Sequence, residues 1–200
     1  PLPQALRAAP FTTAMARDAG LDRYQLGALV LAGALAHPMR GVFCSPLLPD
    51  SLDLRIACLR LVLPSGFVVT DRSAGWLWGA PMILAPGEHL TTPAVSAYGP
   101  PGRRLRNGLA RSGERGLAPG DITEIGGLAV TTVKRTACDL GRLLHRDQAL
   151  GALDALLGLG SFGVEELVQE TRRFRGYRGA VQLRALAPLA DARSQSPQES

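Results

Sequence analysis

The chain is 200 residues long, 46% hydrophobic and 20% charged, with a formal net charge of +5 carried almost wholly by arginine, Lys134 being its single lysine. Such a length accommodates one medium domain, or a small domain joined to a larger one, with a substantial core in either case. No apolar run reaches membrane-spanning length and no basic-then-apolar leader opens the sequence, which predicts a soluble cytoplasmic protein without a membrane partner.

Residues 2 to 9 form a short apolar helix candidate ended by Pro10. Thr12 or Thr13 then caps a short helix with Met15, Ala16 and Ala19 on one side, and Gly20 ends it in a left-handed turn. A second helix starts at once, with Asp22 as its N-cap and Leu26, Leu29, Val30 and Gly33 at the spacing that faces a core. After it, Leu35 to Cys44 reads as two extended arms bent at His37-Pro38-Met39-Arg40-Gly41, with an arginine at the tip. Helix, turn, helix and wing is the layout of a small DNA-reading module, in which the start of the second helix faces base edges while basic neighbours hold phosphates. Those starting residues are Arg23, Tyr24 and Gln25. The rest of the helix, with Ala28, Leu31, Ala32 and Ala34, is short of the polar side chains usual on a groove-facing surface. A three-helix packing unit that binds protein fits the same spacing.

Pro46 and Pro49 mark a linker, and from Ser51 the pattern changes. Leu52, Ile56, Leu59 and Leu63, with Arg55 and Arg60 opposite, predict an amphipathic helix stopped by Pro64-Ser65-Gly66. Phe67-Val68-Val69 reads as a brief strand or turn, and Thr70 or Asp71 as the cap of a short helix carrying Ala74, Leu77 and Trp78. Trp76 and Trp78 lack basic or aromatic neighbours, so they read as packing residues and not as a base-stacking platform. A proline- and glycine-rich loop over 80–92 precedes a strand at Ala94 to Tyr98, and a loop bearing Arg103, Arg104 and Arg106 leads to an extended piece near Leu109 to Arg111. The arginines of 103–115 suit a phosphate backbone, an acidic partner or plain solvation.

Ile122 to Ile125 and Leu128 to Thr132 flank Gly126-Gly127, a pair of the type that closes a hairpin. Thr132 then caps a helix from Val133 to Leu144 whose buried face is Val133, Ala137, Leu140 and Leu144, with Thr136 and Asp139 read as capping and dipole partners. Helices over Gln148 to Leu157 and Val164 to Arg172 follow. The segment Arg172-Arg173-Phe174-Arg175-Gly176-Tyr177-Arg178-Gly179 interleaves arginine with aromatics, which fits either a nucleic-acid contact or a loop packing its rings inward. A last helix reaches about Leu189, and 191–200 is a polar tail.

Cys44, Cys58 and Cys138 are widely separated in apolar text, which indicates reduced core thiols and no disulfide framework or zinc site. His37, His89 and His145 are scattered, so neither metal nor cofactor is assigned. GxSxG, a P-loop and a Gly-rich dinucleotide turn are absent, and the carboxylates stand singly, so no catalytic residue is assigned.

The order Phe11-Thr12, Ala19-Gly20-Leu21, Leu29-Val30, Gly33, Arg40-Gly41-Val42-Phe43, then Ser73-Ala74-Gly75-Trp76-Leu77-Trp78-Gly79, then Gly127 to Thr132 with Arg135-Thr136-Ala137-Cys138-Asp139-Leu140 resembles the AbiEi-type antitoxins of bacterial abortive-infection systems. The resemblance spans nearly the whole chain. It implies an α+β protein: an N-terminal winged helix-turn-helix over 1–45 that binds double-stranded operator DNA, a mixed helical antitoxin-like domain with a small antiparallel sheet over 50–190, and a polar linker over 191–200. It also implies autoregulation of an operon whose second product is a nucleotidyltransferase-like toxin, without a stable complex between the two. The DNA-facing residues so mapped are Thr13, Arg23, Tyr24, Gln25 and Arg40, with Arg103, Arg104 and Arg106 as auxiliary backbone contacts. Actinobacterial relatives of this kind often continue into a Vsr-like endonuclease domain, and residues 196–200 resemble its opening, which makes a nuclease-targeting region the alternative. A degenerate protein-interaction domain is the third reading.

Overall fold

The computed structural model describes residues 2–80, 94–99, 105, 110–111 and 115–193. Its first segment comprises a 3-10 turn (Gln4–Leu6), β1 (Phe11–Thr12), α1 (Thr13–Asp18), α2 (Arg23–Leu31), β2 (Ala36–Met39) and β3 (Val42–Cys44). Pro3 and Pro10 leave too few residues between them to nucleate the helix expected over 2–9, and a single 3-10 turn forms instead. The Thr12 side chain accepts from the Met15 N–H at 3.3 Å and so starts α1. Gly20, at φ +85°, turns the chain into α2. There Asp22 Oδ1 accepts from the Gln25 N–H at 2.7 Å and Gln25 Oε1 accepts from the Asp22 N–H at 2.8 Å, a reciprocal cap. β3 pairs antiparallel with both β1 and β2, giving the order β1-β3-β2. Leu6, Phe11, Ala16, Leu26, Leu35 and Phe43 form the core beneath.

Against that core, the His37 ring lies parallel to Phe43, with centroids 4.4 Å apart and planes 8° from coplanar. Burial holds the imidazole below its ordinary pKa of 6.5, so the folded state binds fewer protons than the unfolded chain just below that value. Stability from this region is therefore full above pH 6.5 and falls as the pH drops towards the lowered folded value. Urea melts of the wild type between neutral and mildly acid pH are expected to show the decline, and His37→Phe to flatten it. An identical pH profile in the variant would remove His37 as its source.

Next come α3 (Leu52–Arg60), β4 (Val68–Val69), α4 (Asp71–Leu77), β5 (Val95–Tyr98), β6 (Ala110–Arg111), a 3-10 turn (Pro119–Asp121), β7 (Ile122–Ile125) and β8 (Leu128–Thr131). The five strands run in the order β6-β5-β4-β8-β7. This sheet is mixed, not purely antiparallel as expected: β4 runs parallel to β8, with Val69 opposite Val130, and β5 parallel to β6. Sequence shows the hairpin pairing of β7 with β8 because its turn is local, but the parallel neighbours meet only in the folded chain. Gly126 and Gly127 have φ of +51° and +76°, as a two-residue turn needs, and the turn presses on α3: a Cβ at Gly126 would lie 2.6 Å from Ile56 Cδ1. Leu52, expected on the buried face of α3, is instead 47% exposed, while Ile56, Cys58 and Leu59 carry the packing. Met39 and Val42 from the β2–β3 hairpin join this second core beside Ile56, Leu59, Val69 and Val130, so the hairpin is rooted in the segment that follows it.

The remaining elements are α5 (Val133–Leu143), α6 (Arg146–Leu157), α7 (Val164–Glu170), a 3-10 turn (Thr171–Phe174), α8 (Ala180–Leu186) and a 3-10 turn (Ala187–Leu189). Thr132 accepts from the Arg135 N–H at 3.3 Å and starts α5. Gly141 allows α5, α6 and α8 to approach closely, since a Cβ there would meet Leu183 Cδ1 at 2.7 Å and Leu153 Cδ2 at 3.1 Å. Helices packed beside one antiparallel and one mixed sheet make this an α+β fold. Among the described residues no helix is long and apolar enough to cross a membrane. All three cysteines are free and buried, and burial pushes the Cys58 and Cys138 thiols up to about 12.

Candidate nucleic-acid interface

α2 hangs on the first core by Leu26, with Leu29 and Val30 half-buried, which leaves Arg23, Tyr24, Gln25, Gly27, Ala28 and Leu31 outward. Tyr24 is 86% and Leu31 91% exposed. Tyr24, Ala28 and Leu31 recur at i, i+4 and i+7, so the exposed face of α2 is an apolar stripe with Arg23 at its start. The reciprocal cap engages the Gln25 carbonyl oxygen and the Gln25 N–H, so of that side chain only Nε2 remains to be offered outward.

Among the other residues assigned from sequence, Thr13 is exposed as the first residue of α1. Arg40 is exposed at the β2–β3 tip, but its neighbours Met39 and Val42 are buried against the second core. The fold thus gathers Arg23, Tyr24 and Gln25 on one turn and leaves Thr13 and Arg40 on separate elements. Arg103, Arg104 and Arg106 lie outside the described residues. Trp76 is half-buried beneath the Arg55 guanidinium, and Trp78 Nε1 donates to the Thr131 carbonyl at 2.9 Å, so both tryptophans act in packing.

A second polar assembly escaped the sequence reading altogether. Asp139, fully buried on α5, accepts from Arg115 Nη1 at 2.9 Å, Arg135 Nε at 2.9 Å and Arg142 Nε and Nη2 at 3.0 and 2.8 Å. Arg115 also grips Asp71 with both terminal nitrogens, at 2.6 and 3.2 Å, and lies over the Tyr98 ring. Arg135 continues to Asp121 Oδ2 at 2.6 Å. Asp121 in turn accepts from Arg173 Nη2 at 2.9 Å and from the Ala118 N–H at 2.8 Å. Burial by itself would raise the Asp121 carboxyl, yet the Ala118 N–H with Arg173 and Arg135 holds it below its ordinary 3.8. Its contribution to stability is present above that value and lost as pH falls through the lower folded value.

Asp139 was expected to serve the dipole of α5; it is instead the shared acceptor of three guanidinium groups, those of the buried Arg135 and Arg142 and the part-buried Arg115, with Asp121 and Asp71 supplying the further negative charge. The available signal was the small-residue run Thr136-Ala137-Cys138 with Gly141, which marks a helix surrounded on all sides, so that Arg135, Asp139 and Arg142 at spacings of four and three must satisfy one another inside. A cleft of about 360 Å³ lined by Thr132, Lys134, Arg135, Asp121, Glu170 and Arg173 opens beside this assembly. Its cations are all paired: Arg135 and Arg173 with Asp121 and Arg173 with Glu170 within the lining, and Lys134 at 3.9 Å with Glu166, which does not line the cleft. Among the described residues no group of three His, Cys, Asp or Glu side chains is arranged to hold a metal ion.

No family model matches the chain. Two curated relatives, the uncharacterized proteins MT2308 and Rv2248 of Mycobacterium tuberculosis, are each 29% identical over 180 residues, a span that covers 90% of this chain and 62% of the relative. The chain therefore spans less than two thirds of the length of the curated relatives it matches. Among solved structures, the crystal structure of the RV2827C protein from Mycobacterium tuberculosis is similar at a TM-score of 0.41 and 16% identity, over 96% of this chain and 74% of that one.

Proposed function

We propose that this chain is a non-catalytic DNA-binding regulator of the AbiEi antitoxin kind, acting through residues 4–44 as a winged helix on double-stranded operator DNA. The observation that carries the reading is the arrangement of that segment: two helices joined at Gly20, α2 with its outer face from Arg23 to Leu31 presented to solvent, and a three-stranded sheet in the order β1-β3-β2 whose last two strands form a hairpin. Arg23 supplies a charge at the start of α2, where a groove-entering helix meets phosphates and base edges. The apolar stripe of Tyr24, Ala28 and Leu31 suits thymine methyl groups, the apolar feature of the major groove. Because Met39 and Val42 are rooted in the second core, the hairpin contributes through Arg40 at its tip and not along its length.

A mobility shift of the 200-residue chain on the DNA upstream of its own gene, over a salt series, tests this. Affinity is expected to fall with a log-log slope of about 0.9 per phosphate contact, and Arg23→Ala to lower it about tenfold. Arg40→Ala should weaken all sequences alike. A flat salt response, or undiminished binding by the Arg23→Ala/Arg40→Ala double variant, would sink the reading. The Mycobacterium tuberculosis relatives extend beyond the matched span, which leaves room for a second proposal resting on the resemblance of residues 196–200: that the chain is the DNA-targeting region of a longer Vsr-like endonuclease. An acidic nuclease core with a Glu-x-Lys pattern in the reading frame beyond Ser200 would favour it, and a stop codon there would exclude it.

A further inference from the structure

Between Thr171 and Ala190 the sequence places Arg172, Arg173, Arg175, Arg178 and Arg184 without a single acidic residue. Arg173 is taken up by Asp121 and Glu170. Arg172, Arg175, Arg178 and Arg184 are exposed, and none forms an ion pair with a described residue. The backbone that carries them is held in place. Phe174 is buried, Gly176 and Gly179 make left-handed bends at φ +84° and +75°, and Arg142 Nη1 donates to the Arg178 carbonyl at 3.2 Å. In the middle stands Tyr177, 49% exposed. Its ring meets Phe174 edge-on at 5.7 Å, and the Arg142 guanidinium lies 5.7 Å from its centroid. Beside the ring a cleft of about 300 Å³ opens, lined by Gly116, Leu117, Ala118 and Phe174 as well as Asp121, whose carboxylate is already bound by Arg135 and Arg173.

We infer that residues 172–184 form a binding surface for single-stranded nucleic acid, with Tyr177 as its stacking platform. Arg172, Arg175 and Arg178 on the segment before α8, with Arg184 on α8 itself, have no ion-pair partner among the described residues and suit a phosphate backbone, and an exposed aromatic beside them offers a face to an unpaired base. A duplex keeps its base faces stacked on one another and cannot use the ring. A chain of acidic side chains alone would satisfy the arginines but leave the ring face without a stacking partner, whereas a single strand supplies a phosphate and a base at every nucleotide. This surface is separate from α2, so it stands or falls independently of the winged-helix proposal.

Anisotropy of a labelled short oligothymidine, and of a duplex of equal length, titrated with the 200-residue chain provides the test. Saturable binding of the single strand at about 50 mM salt, weakening with a slope of about 0.7 per phosphate contact, is expected. Tyr177→Ala should lower single-strand affinity about 5- to 150-fold, the range of one lost base stack, while duplex affinity stays unchanged. Tyr177→Trp should restore it. The Arg172→Gln/Arg175→Gln/Arg178→Gln/Arg184→Gln variant should lose both affinity and salt slope, with circular dichroism reporting that it is folded, and Arg23→Ala should leave single-strand binding intact. No saturable single-strand binding, undiminished binding by the quadruple variant, equal losses on single strand and duplex for Tyr177→Ala, or binding of polyglutamate in place of the oligonucleotide would each overturn the inference.

Discussion

Asp139→Asn is expected to lower the unfolding free energy by about 3–5 kcal/mol, the cost of leaving buried charges without their counter-ion. The Asp139 carboxylate is fully buried and receives the guanidinium groups of Arg115, Arg135 and Arg142 at 2.8 to 3.0 Å. An asparagine of the same shape keeps one acceptor oxygen but removes the negative charge and turns an NH2 group towards cations. Arg135 keeps Asp121, and Arg115 keeps Asp71, but the side chain of Arg142 retains only the Arg178 carbonyl and the faces of Phe174 and Tyr177. The effect should therefore concentrate where α5 meets the loop before α8. For a chain of this size the loss corresponds to a fall in Tm of roughly 6–20 °C, readable by calorimetry. Asp50→Asn is the control, because the Asp50 pair with Arg55 is solvent-exposed on the acid's side and such pairs contribute about 0–1 kcal/mol. Equal losses from the two variants would show that Asp139 is not a buried hub.

Gly179→Ala is the other large effect, about 2–4 kcal/mol, from two causes that act together. The residue sits at φ +75°, where a Cβ is strained, and that Cβ would lie 1.8 Å from the Arg142 carbonyl oxygen and 2.7 Å from its carbon. Backbone cannot swing aside as a side-chain end can, so α8 must move away from α5. Such a movement also strains the two bonds that Gln182 Nε2 donates to the Gly141 and Leu144 carbonyls at 2.9 Å, which close the C-terminal end of α5. Gly160→Ala serves as the comparison: its φ is +71° but no atom lies within 4 Å of the added Cβ, so it carries the backbone cost alone. A Gly179→Ala variant no less stable than Gly160→Ala, by urea denaturation, would contradict the close approach of α5 and α8.

The elements legible in the sequence share a local cause. Asp22 before an apolar period marks α2, Thr132 before another marks α5, and Gly126-Gly127 between two β-branched runs marks the β7–β8 hairpin. Each is decided by bonds between residues close in the chain, three or four apart in the caps and helices and at most nine apart in the hairpin. The exposed start of α2 was legible for the same reason, since the apolar positions that face a core leave Arg23 and Tyr24 outside. The segment 172–179 was legible only in part. Its rings divide between the two readings of the segment, Phe174 packed inward and Tyr177 left half exposed, and sequence alone does not say which ring takes which place.

Composition and periodicity thus determined the helices after Pro10, the hairpins, the buried thiols and the α+β class, because each follows from a residue's preference for its own neighbours in the chain. Tertiary structure alone decided what meets across distance. It runs β4 parallel to β8, roots the β2–β3 hairpin in the second core through Met39 and Val42, and closes the carboxylates of Asp71, Asp121 and Asp139 on Arg115, Arg135, Arg142 and Arg173. A charged side chain reads in sequence as a solvated one. Only the packing that excludes water from it shows which opposite charge it must find.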